Sequence, residues 1–129
     1  MLKSLNLIGF YVKDVNASTS FYKTLGFELV NNDGSFAEMK LGNMRVTFTA
    51  QETAKDKDES FQKDAFGEPK GTGIYLNVEV EHIDDYYKYL TDNNITPSTQ
   101  PRDWPWGNRE FVVRDPDRYK LVMYEKVKG

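Results

Sequence analysis

The sequence of 129 residues has no cysteine and a single histidine, His82. Without thiols there are no disulfides, no thiolate nucleophile and no sulfur ligands for a metal. One histidine leaves no room for a His-rich metal set or a histidine beside a serine nucleophile. Long apolar runs are also missing: none approaches the ~18–20 residues of a membrane-spanning helix. Met1-Leu2-Lys3-Ser4-Leu5-Asn6 lacks the basic stretch followed by an apolar stretch that marks a secretory leader. These absences lead us to expect a cytoplasmic protein with no membrane partner. Basic excess is missing as well. Seventeen Lys and Arg against 20 Asp and Glu give a net charge of −3, which argues against a general nucleic-acid binder. No glycine-rich phosphate loop appears.

The hydrophobic fraction of 39% and aromatic fraction of 14% suffice for the core of one small domain. Both tryptophans fall in Trp104-Pro105-Trp106-Gly107-Asn108-Arg109-Glu110-Phe111, a stretch that ends at the turn Asp115-Pro116-Asp117. Large rings beside Pro and Gly offer flat apolar area with few rotamers to freeze, which suits a ligand as well as it suits the cap of a sheet end.

Alternation and turn residues give the elements in order. Leu5–Lys13 reads as a strand. A helix follows, capped by Asp14 or Asn16 and stopped at Gly26. Phe27–Asn31, Phe36–Leu41 and Met44–Ala50 read as strands, with Asp33-Gly34 and Gly42-Asn43 as turns. Residues 51–70 are rich in Lys, Asp, Glu and Gln and read as a solvated linker. The plan then repeats. Ile74–Val80 is a strand, a helix runs from His82 to about Asn93, Ile95–Gln100 is a short strand, and Asn108–Arg114 and Tyr119–Glu125 form a last hairpin. Phe21-Tyr22-Lys23-Thr24-Leu25 matches Tyr86-Tyr87-Lys88-Tyr89-Leu90, which makes the repeat internal. The fold class expected is α+β: module one at 1–50, linker 51–70 and module two at 71–129, within one domain of residues 1–129.

One strand parity, with Ile8, Phe10, Val12, Val46, Phe48, Ile74, Leu76, Val78, Leu121 and Met123, is apolar throughout and is the face for helices to cover. The other parity holds Tyr11, Thr47, Tyr75, Asn77, Glu79 and Tyr124 among mixed polar and aromatic residues, and either meets water or lines a cleft.

The pattern Val12-Lys13-Asp14-Val15, Ser18, Phe21-Tyr22 and Leu25-Gly26-Phe27 resembles the N-terminal signature of the vicinal oxygen chelate superfamily, which includes glyoxalase I, extradiol dioxygenases and bleomycin resistance proteins. Pro105-Trp106-Gly107-Asn108-Arg109-Glu110-Phe111 with Asp115-Pro116-Asp117 is similar to its C-terminal signature, as found in bleomycin resistance-like members. The resemblance implies two βαβββ modules forming a cup-shaped mixed sheet, commonly in a homodimer. Where such members place Gly after the Asp-Pro-Asp triplet, this chain has Arg118, which suggests an altered turn.

In the metal-using members the ligands lie at inner-face positions that fall here on Leu7, Thr47, Tyr75 and Val122. Leu and Val cannot ligate, and Thr and a neutral phenol are poor donors without stronger ones beside them. The resemblance therefore implies no cofactor and no metal. It implies a small-molecule binding protein, of the kind that sequesters bleomycin or another aromatic compound. The candidate ligand-binding residues are Tyr11, Phe36, Glu38, Thr47, Tyr75, Asn77, Trp104, Trp106, Arg109 and Tyr124. A carboxylate such as Glu38 or Glu79 could pair with a cationic group on the ligand. Arg109 also has a structural reading, an ion pair with Glu110, Asp115 or Asp117. The alternatives are a glyoxalase- or dioxygenase-like enzyme with atypical metal ligands, and a scaffold whose trough a partner subunit fills. Glu38 with Glu79, or Glu110 with Glu125, are the acid–base pairs an enzyme would draw on.

Overall fold

A computed structural model describes residues 1–127. The chain divides into two units, residues 1–68 and 69–129. Each contains one four-stranded sheet. In the first unit β1 (Ile8–Val12), β2 (Glu28–Asn32), β3 (Phe36–Leu41) and β4 (Met44–Ala50) stand in the order β1-β4-β3-β2. In the second, β5 (Tyr75–Glu79), β6 (Arg102–Asp103), β7 (Asn108–Arg114) and β8 (Lys120–Lys126) stand in the order β5-β8-β7-β6. First and last strands pair in parallel in both units and the remaining neighbours are antiparallel. The internal repeat thus appears as one strand order used twice. Among the described residues, no helix is long and apolar enough to cross a membrane.

In the first unit, α1 (Val15–Leu25) begins where Asp14 accepts hydrogen bonds from the Asn16 and Ala17 amides. It ends at Gly26, whose φ of 121° lets the Phe27 amide fold back to the Tyr22 carbonyl. Its buried residues, Val15, Ser18, Thr19, Tyr22 and Leu25, recur at helical spacing. Tyr22 is fully buried and packs on Phe48 and Phe27 at ring distances of 4.7 and 5.1 Å. Phe10, Val12, Ala37, Met39, Val46 and Phe48, all buried, complete this core on one sheet face.

In the second unit, α3 (Ile83–Asp92) buries Ile83 and Leu90, and Tyr87 meets Phe111 edge-on at 5.2 Å. Phe111, Val113, Leu121 and Met123 are buried on the sheet face of the same parity. Burial also pushes the Tyr86 phenol well above its ordinary range. His82 precedes α3 in a left-handed conformation, with φ 53°, and its side chain does not cap. The cap comes instead from β8: the Glu125 carboxylate accepts from the His82 and Ile83 amides at 2.8 and 3.1 Å. Those bonds hold its pKa below the ordinary carboxylate value. At the far end Asn94, with φ 67°, does what Gly26 does in α1, and the Ile95 amide reaches the Leu90 carbonyl.

Three elements differ from the sequence reading. Residues 51–70 carry more regular structure than the sequence pattern signalled. A 3-10 turn (Gln51–Ala54) and a helix, α2 (Glu59–Phe66), occupy most of them, and Ala54 and Ala65 are buried. Asp58 caps α2 through the Phe61 amide. The expected strand Ile95–Gln100 is irregular. Pro97 and Pro101 have no amide hydrogen, and the Val112 amide donates to the Thr99 side chain where a strand would offer a carbonyl. The outer strand is the two-residue β6 instead. Ile74 lies outside β5 and is half exposed.

After Asp115-Pro116-Asp117, Arg118 takes φ 76°, a conformation that glycine adopts without strain. Asp115 secures this turn by accepting from the Asp117 and Tyr119 amides, both at 2.9 Å.

Two outcomes follow from this packing. The Ser18 hydroxyl is fully buried without a hydrogen-bond partner among the described residues. Ser18→Ala is expected to raise stability by about 1 kcal/mol, read as a higher melting midpoint, because it removes an unsatisfied polar group. Glu125→Ala is expected to lower the melting temperature at neutral pH. A depressed carboxylate stabilises the fold above its unfolded pKa, and that contribution disappears as pH falls through the folded value. The gap between wild type and variant should therefore narrow when melting is followed from neutral pH to below the 4.5 of an ordinary glutamate.

Candidate functional site

Strand pairing in the second unit sets out the uncovered sheet face as cross-strand rows. Tyr75, Lys120 and Arg114 form one row, and Asn77, Val122 and Val112 the next. Glu79, Tyr124, Glu110 and Arg102 form the third. Trp104 and Trp106 rise beside the third row from a tight loop. The Trp104 amide donates to the Asn108 carbonyl and the Gly107 amide to the Trp104 carbonyl. Pro105 presets the first step of this loop and Gly107 takes φ 92°, leaving Trp104 and Trp106 two residues apart across a three-residue hairpin loop.

The two indoles stack, with centroids 4.8 Å apart and planes 11° from parallel. The Arg102 guanidinium lies 3.8 Å from the Trp104 ring centroid. An indole and a guanidinium at such distances cannot share one ring face, so Trp104 is sandwiched between them. Trp106 is 62% exposed and keeps one ring face open. Its edge is fixed: Nε1 donates to Glu110 Oε2 at 3.0 Å, and Asn108 Nδ2 donates to the same oxygen at 3.2 Å. Trp106 therefore presents an open π surface whose orientation is set by a hydrogen bond.

Two clefts adjoin this ring. One, of about 610 Å³, runs between Trp104, Trp106, Val112 and the 99–102 segment. The other, of about 390 Å³, lies among Tyr75, Asn77, Trp106, Asn108 and Lys120. Both are also walled by Glu110 and Val122, so they form one trough along the sheet face. Its combined size falls in the range of small-molecule sites.

The ten candidate residues separate into two sets, one per unit. In the first unit Tyr11, Thr49 and Phe36 share a row, as do Gly9, Thr47 and Glu38. Glu38 is occupied by a close ion pair with Arg45. In the second unit Tyr75 and Asn77 line the trough with Trp104 and Trp106, and Tyr124 stands in the row of Glu110. Arg109 is not with them. Strand alternation puts it on the opposite face, where it donates to Asp84 of α3 at 3.0 Å and to Asp103 of β6 at 3.1 Å. Its structural reading was legible in the sequence, but its acidic partners are these two and not Glu110, Asp115 or Asp117. Glu125 is likewise on the helix side, bound to α3, which separates it from Glu110. Arg102, Glu110 and Lys120 also line the trough; the sequence reading raised Glu110 only as one of an acid–base pair and did not single out Arg102 or Lys120. Arg102 escaped notice because the residues before it did not form the expected strand, and Lys120 because a single lysine on a polar strand face carries no signal.

The sequence of the whole chain places it. The glyoxalase/bleomycin resistance protein/dioxygenase superfamily matches residues 4–123. The chain belongs to this superfamily. A bleomycin resistance protein from Geobacillus stearothermophilus is 28% identical to it over 128 residues, 92% of this chain and 93% of that protein. A glyoxalase/bleomycin resistance protein/dioxygenase from Nocardioides has the same fold, with a TM-score of 0.79 at 21% identity, covering all of this chain and 88% of the other. The bleomycin resistance determinant encoded on transposon Tn5 aligns with a TM-score of 0.68 at 16% identity, over 96% of this chain and 98% of the other.

Members of this superfamily that use a metal need a set of donors, and the residues here do not fit one. Of the four expected positions, Leu7 and Val122 carry no side-chain donor atom, Thr47 offers a buried hydroxyl and Tyr75 an exposed phenol, with Glu38 beside Thr47 already paired with Arg45. Among the described residues no three His, Cys, Asp or Glu side chains converge on a point.

The stacked pair has an optical signature. Two indoles this close couple their transitions, so the wild-type far-ultraviolet circular dichroism spectrum should contain an exciton couplet. Trp104→Phe and Trp106→Phe should each remove it. Glu110→Gln should weaken it, because the Trp106 edge then loses its charged acceptor.

Proposed function

We propose that this superfamily member binds a flat aromatic small molecule in the trough of its second unit, without a metal and without turning it over. The observation that carries this reading is the half-stacked pair. Trp104 lies between Arg102 and Trp106, whereas Trp106, its edge held by Glu110, is mostly exposed and lines both clefts. A ring inserted there extends the Arg102–Trp104–Trp106 stack by one layer. Offset stacking adds about 0.5–1.5 kcal/mol beyond the burial of area.

The unsuitable donor positions support a binding role over metal chemistry, and binding needs no catalytic group. The kinship to a protein named for bleomycin resistance makes a bleomycin-like compound the first ligand to try. A cationic substituent would meet Glu79, whose carboxylate makes no hydrogen bond or ion pair among the described residues and which stands opposite Tyr124. In this reading Glu38 and Glu110 do not serve as its counter-ion, since Arg45 and the Trp106 and Asn108 donors already occupy them. The proposal includes a homodimer with one such trough per chain, in the cytoplasm, as the superfamily resemblance suggests.

Tryptophan fluorescence titrated with metal-free bleomycin tests the reading. Saturable quenching is expected, unchanged after the protein is stripped with a chelator. Affinity should fall about tenfold in Trp106→Ala, roughly the loss of one stacking partner. Glu79→Gln should weaken binding less, and more so at low salt. Quenching that survives Trp106→Ala unchanged would remove the stacking site. Quenching that requires an added divalent ion would overturn metal independence.

A further inference from the structure

A second pocket in the second unit has a different character. It measures about 600 Å³ and is walled by the 69–75 loop, Arg114, Arg118 and Lys120, and no acidic side chain lines it. That is notable in a chain with a net charge of −3. Arg114 and Lys120 face it from adjacent strands, as partners in one cross-strand row. Like charges directly opposite on a sheet destabilise it unless an anion lies between or above them. The Lys120 ammonium lies 5.6 Å from the Tyr75 ring centroid, at the rim the pocket shares with the aromatic trough.

Arg118 supplies the independent observation. It is an exposed arginine held at φ 76°, where an L side chain is strained and glycine is not. The turn does not need the arginine side chain. Its backbone is fixed by the Arg118 amide on the Asp115 carbonyl and by Asp115 on two amides. Arg114 contributes by donating Nη1 to the Arg118 carbonyl at 3.0 Å, a bond to the main chain that any residue at 118 would accept. The strained position therefore gains nothing for the fold from its side chain, while that side chain lines the pocket. Gly73, which also lines the pocket, sits at φ 84° with no atom within 4 Å of where a Cβ would stand.

We propose that Arg114, Arg118 and Lys120 form a binding site for a phosphate-type oxyanion, separate from the stacking surface and touching it at Lys120 and Tyr75. Guanidinium groups suit this task because their planar donors match the oxygens of a tetrahedral anion, and the ammonium of Lys120 adds a point charge. The site stands on the pocket and on Arg118 and does not require the aromatic ligand to be correctly assigned. The shared rim allows two sources for the oxyanion: inorganic phosphate itself, or the phosphate of an ester whose aromatic body reaches toward the trough.

The test is a titration of the full-length protein with inorganic phosphate, followed by amide chemical shifts at constant ionic strength set with chloride. Saturable shifts are expected at residues 71–75 and 114–120. Arg118→Gly should weaken phosphate binding at least tenfold while its melting temperature stays level or rises, because glycine relieves the left-handed strain. A purely structural arginine would give the opposite pattern, a lower melting temperature with phosphate binding intact, and would overturn the proposal. Lys120→Gln should also weaken binding, and it provides a second variant away from the turn. Phenyl phosphate distinguishes the sources. If it binds more tightly than inorganic phosphate and shifts Tyr75 and Asn77 as well, the oxyanion arrives on an aromatic ester, and equal affinity indicates the free ion. Shifts that follow ionic strength alone, with phosphate and chloride equivalent, would overturn the site for either source.

Discussion

In each unit the first strand pairs in parallel with the last, and the rest of the structure follows from that pairing. Parallel neighbours cannot be joined by a tight turn, so the chain must cross over the sheet, and here a helix forms part of the crossover. The helix needs an apolar surface to lie on and packs on one face. Phe48 meets Tyr22 of α1 in this way and Phe111 meets Tyr87 of α3, with Phe10, Met39, Leu121 and Met123 buried on the same faces. Because side chains alternate, the residues of the opposite parity, the buried Thr47 and Val122 apart, stay out of the core. A site can be written on those residues without disturbing the packing beneath. The ion pair of Arg109 with Asp84 and Asp103 and the cap of Glu125 on α3 belong to the covered side. The tryptophan stack and the basic pocket belong to the other.

Most of this was readable from residue order. Strong alternation fixed Phe36–Leu41, Met44–Ala50 and Asn108–Arg114 to their ends, and Asp14 and Gly26 bracketed α1 correctly. What escaped had physical causes. The 51–70 segment hides its helix because the apolar side chains it buries, Ala54 and Ala65, are too small to stand out among Lys and Asp, while its large Phe61 stays half exposed. The cap of α3 could not be read locally because its acceptor, Glu125, is 43 residues from His82. The strand expected at Ile95–Gln100 was an error of weighting, since the two prolines that frame its latter part counted for more than its apolar start.

The site divides in the same way. That Trp104 and Trp106 would stand on one loop was legible from Trp-Pro-Trp-Gly. That one of them is enclosed and the other open was not, because Arg102 precedes the motif and reaches it through a two-residue strand. The electrostatics of the face were hidden too. Counting charges gives a mildly acidic protein, but pairing order sorts the cations and anions into rows. Tyr75, Lys120 and Arg114 stand at one end of the trough, and Glu79, Tyr124 and Glu110 four residues along each strand.

The placement of Arg109 has a wider consequence. It sits inside the run Trp-Gly-Asn-Arg-Glu-Phe, between two residues of the exposed face, and yet it serves the buried one. A contiguous motif on a strand is thus two texts printed on alternate letters, one addressed to the scaffold and the other to whatever the scaffold meets. The letters Arg and Phe of this motif can be kept by any chain that folds this way, whatever it recognises. A pattern search that weighs all six letters equally will gather relatives by architecture. Relatives by ligand are better sought by reading every second letter, together with the residues that pairing places across from them.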